Sequence, residues 1–146
     1  MLRYAAVMVL AGIGVPIMAS LNAQLGARIG SPGVAAIVLF VVGLVAASVL
    51  VTATTGLAPL ARIPGQPPYL LLGDLLVVFY VFTVTSIAPR FGIGNAIFCV
   101  LIGQLMSAAA IDHFGLIGAP ARPLDAIRIA GLVLMAIGVF LTQRHR

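Results

Sequence analysis

Apolar residues dominate this chain in five long runs, at about residues 4–24, 32–52, 69–88, 92–112 and 126–142. Between them lie short segments rich in glycine, proline and arginine. Between Gly92 and Asp112 the chain carries no charge over about twenty residues, which at a helical rise of 1.5 Å is roughly 30 Å, the thickness of a bilayer's hydrocarbon core. The pattern predicts five transmembrane helices in one domain, residues 1–146, an all-α membrane protein. Local chemistry marks the ends. Ser31 followed by Pro32 is a hydroxyl cap with proline at the first helical position. Asp125 reads as the cap of helix 5, and Gly115 suits a left-handed end to helix 4. Helix 3 is expected to stop at Pro89-Arg90, and the glycines and prolines of 56–68 forbid a continuous helix there.

Small residues make stripes for close packing: Gly12, Pro16, Ala19 and Ala23 in helix 1, Ala36, Gly43 and Ala47 in helix 2, Gly103 and Ser107 in helix 4, Gly131 and Gly138 in helix 5. Pro16 is the candidate helix kink, because it removes one backbone donor and leaves the carbonyl of Gly12 without its usual partner.

Composition agrees with a membrane-embedded chain: 62% hydrophobic, 8% charged, mean hydropathy +1.24. The net charge of +5 comes from arginine alone, with no lysine and no glutamate. The arginines fall singly at the ends of apolar runs, where they anchor helices to headgroups, so a nucleic-acid partner is not expected. Arg28 and Gly30 are read as a loop, and Arg128 as snorkelling back to the interface. The single cysteine, Cys99, excludes an intrachain disulfide. A cleaved signal is not expected, because the first run outlasts a usual signal core and four more runs follow it.

Polar residues within apolar runs are the candidates for function. Asn22 and Gln24 close helix 1, and Asn95 and Gln104 sit in helix 4, nine residues apart and so on roughly opposite sides. Gln104 is nearer mid-membrane, where a spare amide has fewest harmless partners, and is favoured over Asn95. Tyr80 is a further cavity candidate, on another face of helix 3 from the line joining Asp74 and Thr85. Asp74, roughly 8 Å below the start of helix 3, and the pair Asp112-His113 at the end of helix 4 are candidates for proton or cation coupling. The plainer reading of His113 is a helix cap whose donors meet free carbonyls. No metal-ligand cluster, no phosphate loop and no nucleophile with its base and orienter is visible, and Asp112-His113 lacks a third member. Neither an enzyme nor a cofactor is expected.

With five spans, Arg3, Arg62, Arg122 and Arg128 fall on one side and Arg28, Arg90, Arg144 and Arg146 on the other, four against four. The positive-inside rule then predicts no preferred orientation. Insertion both ways would allow an antiparallel pair, the arrangement of inverted-repeat transporters.

Several local sequences together resemble the short, five-helix members of the drug/metabolite transporter superfamily. They are N-A-Q-L-G at Asn22 to Gly26 with Ser31-Pro32, F-V-V-G at Phe40 to Gly43, A-P-R-F-G at Ala88 to Gly92, G-Q-L at Gly103 to Leu105, I-D-H-F-G at Ile111 to Gly115, R-P-L at Arg122 to Leu124 and R-I-A-G at Arg128 to Gly131. The resemblance implies half of a ten-helix inverted-repeat transporter in the inner membrane, dual in topology or paired with an oppositely oriented paralogue, that moves and often exports small molecules. Asn22, Gln24, Gln104, Asp112 and His113 match its polar positions. L-G-D at Leu72 to Asp74 departs from the small-residue start expected for helix 3, so the resemblance does not extend to Asp74. Four-helix small multidrug exporters depend on a glutamate in their first helix, and this chain has none.

The expected function is therefore a carrier for a small-molecule substrate, working as an antiparallel dimer by alternating access. The alternatives are a small dual-topology channel, against which the split of Asn95 and Gln104 between faces weighs, and a non-transporting assembly subunit. The arginine tie makes a direct prediction. With Cys99→Ala and a single cysteine introduced as Arg146→Cys, an impermeant thiol reagent should label about half of the protein in sealed inner-membrane vesicles. Labelling of all or none would mean one fixed orientation.

Overall fold

A computed structural model describes residues 2–143. It is all-helical, with no strand among the described residues. The order is α1 (Leu2–Ile29), α2 (Pro32–Thr54), α3 (Gly73–Phe91), α4 (Ile93–Phe114) and α5 (Ala126–Gln143). α1, α2, the segment Pro68–Phe91 and α4 are each long and apolar enough to cross a membrane, and α5 is a shorter apolar helix. The chain divides into two compact units, Met1–Ile93 and Gly94–Arg146.

In the first unit α1, α2 and α3 pack pairwise on one another. Its core is made of small side chains: Ala19 and Ala23 of α1, Ala35 and Ala36 of α2, Val81, Val84 and Ala88 of α3. Without a hydrophobic force between helices in lipid, close backbone approach is what holds them, and only small residues permit it. Gly26 is the tightest point. A Cβ there would stand 3.2 Å from the Pro32 Cα and 3.2 Å from the Thr85 Cγ2. One glycine thus lets the end of α1, the start of α2 and the middle of α3 meet.

Helix ends follow local chemistry, with three departures from expectation. Ser31 caps α2, its Oγ accepting from the Val34 N–H at 3.3 Å. α1 does not end near Gln24 but runs to Ile29, because Ala27, Arg28 and Ile29 carry no stop signal; Arg28 is helical, not looped. Gly30, at φ 71°, ends it, and the Ser31 N–H reaches back to the Gly26 carbonyl at 3.0 Å in a Schellman closure. Pro89 does not stop α3: so near the helix end it costs one backbone bond, and Gly92, at φ 91°, closes the helix two residues after Arg90. At its other end α3 starts at Gly73 rather than Tyr69, and two 3-10 turns, Ala58–Gly65 and Pro68–Leu72, fill the proline-rich connector. Asp74 stands in the first turn of α3, inside the span Pro68–Phe91, and is exposed. Helix 1 runs unbroken through Pro16, which is half-buried.

In the second unit α4 extends to Phe114 and ends as expected at Gly115, in the left-handed conformation at φ 60°. Asp125 caps α5, its Oδ1 accepting from the Arg128 N–H at 2.7 Å. Arg144, His145 and Arg146, read as the chain's extramembrane end, lie outside the described residues.

Gly26→Ala should separate α1 from α2 and α3, because the Pro32 main chain that an added carbon would meet cannot give way. The expected loss is about 1–3 kcal/mol in reversible detergent unfolding. Gly12→Ala, with nothing within 4 Å of the added carbon, should be close to neutral.

Candidate functional site

The first unit buries one polar pair. Asn22 is 6% exposed and Thr85 2%. The Asn22 Nδ2 donates to the Thr85 Oγ1 at 2.6 Å, tying α1 to α3. Both lie on faces otherwise lined by alanine, glycine and valine, so neither has a competing polar neighbour of its own helix packed beside it. In hydrocarbon an unmatched amide is costly, which makes this bond a constraint on how the two helices meet.

Two cavities border this pair and a third lies in the same unit. A void of about 10 Å³ lies between Met18, Ala19, Tyr80, Val81, Val84 and Thr85. It is room for roughly one water. The Tyr80 hydroxyl is buried and has no hydrogen-bond partner among the described residues. The register set Tyr80 apart from Thr85, yet both line this void, because the ring's length carries it around the helix. An open groove of about 490 Å³ runs between α1 and α2, and Asn22 is its one polar side chain. A cleft of about 210 Å³ between α1 and α3 is lined by Ser20, Ala23, Gln24, Ala27, Ala88, Pro89 and Ile93.

The second unit gathers charge at the junction of α4 and α5. The Arg128 guanidinium donates to the Asp112 carboxylate, so Asp112 has a charged partner that the sequence did not suggest. The Arg122 N–H donates to the Asp112 carbonyl at 2.7 Å, satisfying one of the free carbonyls at the end of α4. His113 accepts through Nδ1 from the Leu124 N–H at 3.0 Å; the expected donation to helix carbonyls is not what this nitrogen does. An N–H donor facing Nδ1 places any proton of the neutral ring on Nε2. The ion pair is about one-third exposed on each side, so it fixes geometry more than it adds stability, at about 1 kcal/mol or less.

The remaining candidates are placed plainly. Gln24 is exposed within the α1–α3 cleft. Gln104 is exposed, and Asn95 is half-buried. Asp74 is exposed with no partner among the described residues. Among those residues no group of three metal-ligating side chains occurs. Sequence reasoning did not pair Thr85 with Asn22. The available signal was that each helix carries one polar residue in its buried stripe, Asn22 beside Ala19, Ala23 and Gly26, and Thr85 beside Val81, Val84 and Ala88.

Membership of a family follows from the sequence as a whole. Residues 3–141 match the family model described as "Putative inner membrane exporter, YdcZ", and the chain belongs to that family. It is a multi-pass inner-membrane protein, and its family is one of transporters rather than enzymes. No curated protein and no solved structure matches it.

Proposed function

We propose that this chain exports a small molecule as one half of an antiparallel pair of drug/metabolite type, its five helices acting as a single transmembrane domain. A second copy, or an oppositely oriented paralogue, would complete ten helices and permit alternating access. The observation that carries the reading is the match to inner-membrane exporters over residues 3–141. The balance of four arginines against four supports the pairing. The small residues Gly43, Gly103, Gly131 and Gly138 are compatible with close helix approach in such a pair.

In this reading the substrate lies between the helices of the two copies. Asn22 and Gln104 offer it hydrogen bonds in largely apolar surroundings. Asp74, exposed and unpartnered among the described residues, is the simpler coupling group. Asp112 takes that part only if its pair with Arg128 opens, and His113 only if it leaves the Leu124 N–H.

Reconstituted in proteoliposomes, the full chain should give saturable, gradient-dependent flux across a panel of small amphiphiles. Ohmic current would mean a channel, and no flux with any partner chain an assembly subunit. Gln104→Leu should insert normally and lose transport by at least about tenfold; unchanged transport would remove Gln104 from the site.

A further inference from the structure

The α1–α3 cleft holds polar groups that the rest of the fold leaves unused. Serine and threonine in membrane helices usually donate to a carbonyl of their own helix. Ser48, Thr52, Thr54 and Ser86 do so, to the carbonyl four residues back, at 2.7–2.8 Å. Ser20 makes no such bond among the described residues, although it is half-buried and lines the cleft. Gln24, one turn on, also has no partner there. Pro89 lines the opposite wall. Having no N–H, it adds no backbone donor to that wall, so the cleft's polar groups are the Ser20 hydroxyl and the Gln24 carboxamide. The cleft therefore offers donors and acceptors together in apolar walls.

Its charge surroundings narrow the ligand. No ionisable side chain lines it. Arg28 follows Gln24 by one turn and Arg90 follows Pro89 directly, in the last turns of α1 and α3, and both oppose a cation. The same helix ends present the negative pole of two helix dipoles, which opposes an anion and balances the arginines. The only acid of this unit, Asp74, is at the far end of α3.

We infer that this cleft is a subsite for the uncharged, hydrogen-bonding end of an amphiphile, a carboxamide or hydroxyl group carried on an apolar body, with Ser20 and Gln24 as its specificity-determining residues. The assignment rests on the export reading for the ligand's being the exported substrate. A volume of about 210 Å³ suits a body of roughly ten non-hydrogen atoms.

Three probes of nearly equal shape test it: benzamide, benzoate and benzylammonium. Equilibrium dialysis of the purified full chain in uncharged detergent should show saturable benzamide binding, with the two charged probes at least tenfold weaker. Ser20→Ala with Gln24→Leu should weaken benzamide at least tenfold, and the near-isosteric Gln24→Met alone should weaken it too, both with unchanged helical content and melting. Equal binding of all three probes, no saturable benzamide binding, or variants that bind like the parent would overturn the proposal. Benzamide binding without flux of any compound would count against export and leave the subsite standing.

Discussion

A carboxamide and a hydroxyl buried between two helices in hydrocarbon have to satisfy each other, and the first unit is arranged around that requirement. The Asn22–Thr85 bond exists only because α1 and α3 approach closely, and they do so because Ala19, Ala23 and Gly26 face Val81, Val84 and Ala88. Gly26 sets the limit, with Thr85 itself one of the groups that a side chain there would strike. The polar bond gives the contact its register; the small residues give it its distance. The void under Tyr80, the groove beside α2 and the cleft at Gln24 are the spaces left over when rods of unequal side-chain size meet at one fixed point.

The second unit is held by different means. Its described hydrogen bonds gather where α4 gives way to α5: Asp112 with Arg128 and Arg122, His113 with Leu124, Asp125 with the first turn of α5. These are backbone and charged groups at a helix junction, the kind of site that interfacial water reaches.

Much of the fold was legible in the sequence because lipid imposes a single rule, long apolar runs as helices. Capping was legible too: Ser31, Gly115 and Asp125 each do what their chemistry suggests. Helix limits failed where a residue's usual effect was too weak at its position. Nothing between Gln24 and Ile29 breaks a helix, and Pro89 sits too near the end of α3 to break one. The paired contacts failed for another reason. Asn22 and Thr85 are 63 residues apart, and Asp112 and Arg128 are 16, so no local pattern joins them. Asn22 was visible as an oddity in an apolar helix; what answers it was not.

The most direct test of this account is whether positions 22 and 85 meet in the native membrane. In a chain with Cys99→Ala, Asn22→Cys and Thr85→Cys, a protease site is placed in the 56–68 connector and the membranes are treated with a mild oxidant. The account predicts that the two fragments remain joined after proteolysis and separate only on reduction. Fragments that separate without reductant, in a protein that is inserted and folded, would contradict it.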